Sequence, residues 1–154
     1  MNHIWIDNII AGLIDTYNTN DVFELLDCLN IRIYKIDSNN IMIKNNDSLY
    51  YRDYLNNEVI FIRNDIPSNL EKFILLHELG HALLHTDIYQ AAFNRKFINT
   101  GKLEKQANYF AFKLMNINFD HIDLDGLTIE QISCILGLPC NQLFEFINLK
   151  EVIT

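Results

Sequence analysis

The chain carries 154 residues, 49% of them hydrophobic and 21% charged, with a formal net charge of -8; that is one domain's length with enough apolar material to bury a core. The acidic balance, with a pI near 4.9, argues against the basic surface that a phosphate backbone requires, so no direct nucleic-acid binding is expected. No stretch is long and apolar enough to span a membrane, which excludes a helical membrane protein.

The N-terminus, MNHIWIDNIIAGLID, lacks a basic n-region and is interrupted by Asp7, so it does not read as a signal peptide. Cys28, Cys134 and Cys140 lack CxxC spacing and read as reduced thiols. Together these features predict a cytoplasmic protein. Across residues 4–17, Ile6, Ile9, Ile10, Leu13, Ile14 and Tyr17 recur at three- and four-residue intervals, the period of an amphipathic helix on a core. Thr19, Asn20 and Asp21 then offer an N-cap to a second helix bearing Val22, Phe23, Leu25, Leu26 and Leu29. Asn30 stands where that helix should stop in the left-handed conformation.

From Ile31 the period changes. Ile31, Ile33 and Ile36, then residues 41–43, 49–55 and 59–63, form short β-rich runs divided by Asn, Asp and Ser. They predict a small antiparallel sheet, with Tyr50, Tyr51 and Tyr54 as sheet-packing residues rather than a ligand platform.

Pro67 and Ser68 mark the entrance to a helix over residues 69–86, and Glu71 is placed to complete a capping box with Ser68. Phe73, Ile74, Leu75, Leu76, Leu79, Leu83 and Leu84 make it apolar on nearly all sides, as a central buried helix is. Its segment FILLHELGHALLH sets His77 and His81 four residues apart with Glu78 between them. Positions i and i+4 share one helix face. Two imidazoles so placed can hold one Zn2+, and Glu78 can act as general base toward a water.

A catalytic zinc site needs a third protein ligand. His85 continues the same face, but an axial rise of about 12 Å over eight residues puts it beyond a metal shared with His77. It is expected behind a ligand, on the substrate side, or at the helix C-terminus. A further helix over 102–116, with Leu103, Ala107, Phe110, Ala111 and Leu114 as its apolar stripe, supplies Glu104 to complete a His2Glu set. Asn108 lies four residues later on the same face and can hydrogen-bond a ligand, while Ala107 and Ala111 permit close approach to the histidine helix. Asp87 is an alternative third donor. The HExxHxxGxxH arrangement fails, because Leu84 holds the glycine position and Asp87 that of the third histidine. Mn2+ or Fe2+ could occupy the same donor set.

Residues 87–100, with Tyr89, Phe93, Arg95 and Phe97, read as a loop or lid. His85, Tyr89, Arg95 and His121 are candidates to support an oxyanion. After an acidic loop at 120–126, Thr128 and Gln131 form a capping box for a helix at 129–136. Gly137 and Leu138 make a turn, and Pro139 opens a helix at 140–149, the outline of a helix-turn-helix. Glu130, Glu145 and Glu151 against Lys150 leave this tail acidic, which disfavours phosphate contact and favours docking onto a protein.

Over most of residues 20–116 the pattern resembles the ImmA/IrrE family of bacterial and phage-encoded zinc metallopeptidases. DVFELLDCLNIRIYKI is similar to the family's helix leading into a strand. EVIFIRNDIPSNLEKFILLHELGHALLH looks like its strand, linker and HELGH helix, and LEKQANYFAFKLM resembles its E-x-E-A-N-x-F-A segment. Gln106 stands in place of the usual second glutamate of the last motif, which favours Glu104 as ligand, and Asn30 replaces a common glycine. The resemblance implies an α+β, zincin-like fold, a small antiparallel sheet packed against the central HExxH helix with a helical C-terminal part. Residues 1–119 would form the metallopeptidase domain and 120–154 a helix-turn-helix-like extension of the same compact unit. It implies Zn2+ on His77, His81 and Glu104, with Glu78 as the catalytic residue. It also implies an anti-repressor that cleaves or inactivates a helix-turn-helix repressor of a phage or mobile element. Alternatives are a zincin-fold module that sequesters a repressor without cutting it, and the toxin of a toxin–antitoxin pair.

Overall fold

The computed structural model describes residues 2–97, 101–117 and 126–151. In chain order it runs α1 (Ile4–Tyr17), α2 (Val22–Cys28), β1 (Ile31–Ile36), β2 (Ser48–Arg52), β3 (Glu58–Arg63), α3 (Ser68–Leu84), β4 (Gln90–Phe93), α4 (Lys102–Met115), α5 (Ile129–Leu136) and α6 (Cys140–Glu151). The α+β, zincin-like expectation holds. Among the described residues no helix is long and apolar enough to cross a membrane.

Asparagine terminates helices here. Asn18 after α1 and Asn116 after α4 sit at φ 53° and 49°, and each takes the left-handed cap that glycine usually supplies. Asn30 closes the helix-to-strand junction at φ 58°, as its place in the sequence predicts. Asp21 caps α2, its carboxylate accepting from the amides of Phe23 and Glu24. The capping box predicted at Thr128 and Gln131 is present. The one predicted at Ser68 is not: Ser68 is already helical, Pro67 is the N-cap and no side chain caps the helix. Glu71 pairs instead with Lys35 of β1 at 2.7 Å.

The sheet has the order β1-β3-β2-β4, and it is mixed rather than wholly antiparallel. β2 pairs antiparallel with both β3 and β4, but β1 runs parallel to β3, with Ile33 opposite Ile60. The connection from β1 to β2 resembles a hairpin in the sequence. However, β3 carries the fully buried Ile60 and Ile62, and the most apolar strand takes the central place between them. Residues 41–43, predicted extended, form turns: Ile43 is fully buried while Ile41 is 87% exposed, so one isoleucine anchors a loop. The segment 87–100 is not all loop, since β4 lies within it and adds the edge strand. Of the three tyrosines, Tyr50 is fully buried, Tyr51 faces outward and Tyr54 is 88% exposed in the β2–β3 turn, so only Tyr50 packs as predicted.

One sheet face, bearing Ile31, Ser48, Tyr50, Ile60, Ile62 and Phe93, closes over α3, whose residues from Phe73 to Ala82 are all buried. Arg52 bolts the two together. Its guanidinium donates to the carbonyls of Ala82 and Thr86 at 2.8 and 2.7 Å and pairs with Glu58 at 2.8 Å. α4 crosses the other side of α3. A Cβ on Gly80 would lie 3.2 Å from the Ala107 Cα and 3.2 Å from the Phe110 ring, so only glycine allows this approach. α5 and α6 add Ile132, Leu143 and Phe146 to the same core, with Phe146 stacked on Phe112 of α4 at 4.9 Å.

Candidate metal centre

The HELGH residues lie in the most buried stretch of the chain: His77 and His81 are each 1% exposed and Glu78 not at all. The i,i+4 spacing sets their imidazoles on one face, with the two Nε2 atoms 3.1 Å apart. α4 is held close by the Gly80 contact and delivers Glu104 across the gap. Glu104 Oε2 lies 3.3 Å from His77 Nε2, and Oε1 3.3 Å from His81 Nε2. Among the described residues, the group whose donor atoms converge within 4.8 Å is His77, His81 and Glu104. Asp87, the alternative, is exposed in the turn after α3 and is not among them.

These distances suit a small divalent cation. Ligands about 2.0–2.1 Å from a tetrahedral zinc stand about 3.3–3.4 Å from one another, close to the spacings present. The tautomers agree. His77 Nδ1 is 2.9 Å from Asn108 Oδ1, an oxygen that can only accept, so the imidazole proton sits on Nδ1 and the Nε2 lone pair faces the gap. His81 Nδ1 is 2.9 Å from His85 Nδ1, and its Nε2 faces the same gap. Two imidazole nitrogens and a carboxylate converging in a buried space are a donor set suited to a cation. A cation satisfies it.

Electrostatics separate the two carboxylates. Burial works against the charged form of Glu104, but whenever the facing His77 and His81 rings carry a proton their hydrogen bonds and charge outweigh it and hold the carboxyl well below its usual range. Glu78 goes the other way. Burial dominates and lifts it to about 7, Glu104 adding to the rise, against lowering by His81 and a hydrogen bond from Ser48. The Ser48 hydroxyl of β2 donates to Glu78 Oε1, while Oε2 is buried without a partner among the described residues. Such a divergence of two neighbouring carboxyl groups is what acid–base work near neutral pH requires.

Of the remaining predicted residues, His85 lies behind His81 and reaches Gln106 Oε1 at 3.1 Å through its Nε2. Arg95 is not free to meet an oxyanion: it pairs with Asp47 at 3.0 Å, with further bonds from its Nε and backbone amide, and so ties the end of β4 to the start of β2. Tyr89 is 58% exposed at the start of β4. His121 and residues 120–125 lie outside the described residues. Beside Glu104 opens a cleft of about 190 Å³ lined by Asn46, Phe93, Asn94, Asn108 and Gln142, the last from α6. Nothing in the sequence ties Ser48 or Gln142 to this site. They arrive by tertiary packing, and a lone serine in a strand carries no signal of a partner thirty residues away.

Residues 26–128 match the sequence profile of the IrrE N-terminal-like domain, peptidase family M78. Similar curated proteins include Metallopeptidase ImmA of Bacillus subtilis strain 168, 27% identical over 146 residues that cover 94% of this chain and 79% of that protein. Another is Uncharacterized immunity region protein 2 of Bacillus phage phi105, 25% identical over 146 residues, covering 93% of this chain and 87% of that protein.

Proposed function

The chain belongs to the IrrE N-terminal-like metallopeptidase family, and from that premise we propose that it is a zinc-dependent endopeptidase acting as a site-specific anti-repressor. Its substrate on this reading is a helix-turn-helix repressor of a phage or mobile element. The observation that carries the chemical part is the convergence of His77, His81 and Glu104 with Glu78 buried alongside.

His77 and His81 would hold the metal through Nε2, and Glu104 through its carboxylate. A divalent metal held there supplies Lewis acidity, polarising a carbonyl and drawing the pKa of a water toward neutrality. Glu78 is the general base. With Oε1 engaged by Ser48, the unpartnered Oε2 takes the proton of the attacking water and later returns it to the leaving amine. Burial keeps its affinity for that proton near neutral pH. Asn108 orients His77 by accepting its Nδ1 proton. The cleft beside Glu104 would seat a side chain of the bound polypeptide.

The regulatory part rests on the family resemblance and on a relative whose name places it in a phage immunity region. The test is to incubate the protein with zinc and a helix-turn-helix repressor from the same genome, comparing wild type with Glu78→Gln. The expected result is repressor fragments with wild type and none with Glu78→Gln. Equal loss of repressor function with both, without fragments, would replace cleavage by sequestration.

A further inference from the structure

His85 and Gln106 form a chain of contacts behind His81 that the proposed reaction does not use. Gln106 on α4 is 5% exposed and His85 at the end of α3 is 7% exposed, so both are withdrawn from water and their polar atoms need partners from the protein. Gln106 Oε1 stands 3.1 Å from His85 Nε2, and His85 Nδ1 stands 2.9 Å from His81 Nδ1. An amide oxygen only accepts, so His85 Nε2 carries a proton and donates it. A neutral imidazole holds one proton, which leaves His85 Nδ1 as an acceptor facing His81. Withdrawal of the ring from water favours that neutral form. His81 must then carry its proton on Nδ1, and its Nε2 is bare on the side where His77 and Glu104 converge.

We propose that His85 and Gln106 are positioning residues that select the Nδ1–H tautomer of His81 and so present its Nε2 lone pair to the metal. The inference rests on the metal-binding reading above. It accounts for the third histidine of HELGHALLH, which is too distant to be a ligand but lies one link behind one. It also accounts for Gln106, where the family pattern has a second glutamate, since either side chain ends in an acceptor oxygen. The relay depends on that oxygen. A side chain of similar size without it leaves His85 free to move its proton to Nδ1, which reverses the whole chain and puts a proton on His81 Nε2, in the metal's place.

The experiment uses the full chain labelled with 15N, comparing wild type, Gln106→Leu and Gln106→Glu. Long-range 1H–15N correlation of the metal-free protein reads each imidazole tautomer directly, and competition with a chromophoric chelator reads zinc affinity. Expected are Nδ1–H on His81 and Nε2–H on His85 in wild type and Gln106→Glu, with a mixture of tautomers in Gln106→Leu. Zinc binding by Gln106→Leu should weaken by about 10–100-fold, the range for loss of a ligand's hydrogen-bond partner, and Gln106→Glu should stay within about threefold of wild type. Nε2–H on His81 in the metal-free wild type would overturn the proposal, as would unchanged tautomers and affinity in Gln106→Leu. If Gln106→Leu does not fold, the wild-type tautomers decide. The tautomer reading needs neither metal nor substrate. Failure of wild type to bind zinc with the tautomers as expected would therefore sink the peptidase reading and leave the relay standing.

Discussion

Glycine-to-alanine substitution should have opposite signs at two positions of this chain, and the difference measures how tightly the site's two helices are held together. In a helix interior the change normally stabilises by about 0.5–1 kcal/mol through backbone entropy. Gly12 in α1 is exposed, and a Cβ there meets nothing within 4 Å among the described residues, so Gly12→Ala should gain that amount. At Gly80 the same Cβ lands 3.2 Å from the Ala107 Cα, 3.2 Å from Phe110 Cδ1 and 3.4 Å from the Ala107 carbonyl oxygen. Carbon atoms rest about 3.5–4.0 Å apart, so α4 must retreat by about 0.3–0.8 Å. Two of the three obstacles are backbone atoms that no rotamer change can move. Overpacking a filled core costs about 1–3 kcal/mol; set against the propensity gain, Gly80→Ala should lose about 1 kcal/mol. Near this chain length 1 kcal/mol corresponds to about 2–4 °C in Tm, so the two melting points should move apart in opposite directions. Glu104 rides on α4 less than one turn from Ala107, and metal–ligand distances tolerate only about 0.2 Å, so zinc affinity should fall in Gly80→Ala and not in Gly12→Ala. Thermal melting with chelator competition checks both. A Gly80→Ala protein that melts above wild type with unchanged zinc affinity would refute the argument that this contact sets the ligand geometry.

Glu104→Ala should strip most of the zinc, read by elemental analysis; full retention would move the third ligand elsewhere. Chelation of wild type should lower its stability by about 2.7 kcal/mol relative to protein at a free zinc concentration of 100 Kd, and this increment should vanish in Glu104→Ala. A pH effect follows from Glu78, whose carboxyl is raised from 4.5 to about 7 by burial. The folded state holds this proton more tightly than the unfolded one, so its contribution is fully present below 4.5 and is lost as pH rises through about 7. In chelator, wild type should therefore lose stability relative to Glu78→Gln across that window in urea titrations, and a flat difference would contradict it. Arg52→Met should cost about 3 kcal/mol, because Glu58 and the carbonyls of Ala82 and Thr86 lose their shared donor; chemical denaturation measures it.

The amino-acid order by itself determined those features whose cause is local. The i,i+4 placement of His77 and His81, the buried character of α3, the asparagine stop at Asn30 and the capping box at Thr128 all follow from helix period and cap chemistry, which reach no further than one turn. Glu104 and Asn108 could be paired with the histidines because the four-residue spacing and the small Ala107 and Ala111 mark a face fit for close approach. Where prediction from sequence erred, a distant partner outweighed a local preference. Glu71 left its expected capping box for Lys35 on β1, and Arg95 is taken by Asp47 rather than open to substrate. Residues 41–43 have a strand's composition yet bury one side chain and turn, because β3 and β4 already complete both sides of β2. The parallel β1–β3 pair arises the same way: the most apolar strand takes the centre of the sheet whatever its place in the order. The HELGH motif thus marks two candidate metal donors and a candidate base, all carried by one helix. The third ligand's distance, the hold of Ser48 on Glu78 and the line from Gln106 through His85 to His81 exist only once β2, α3 and α4 are packed together, since each depends on atoms of different elements meeting within a hydrogen bond's length.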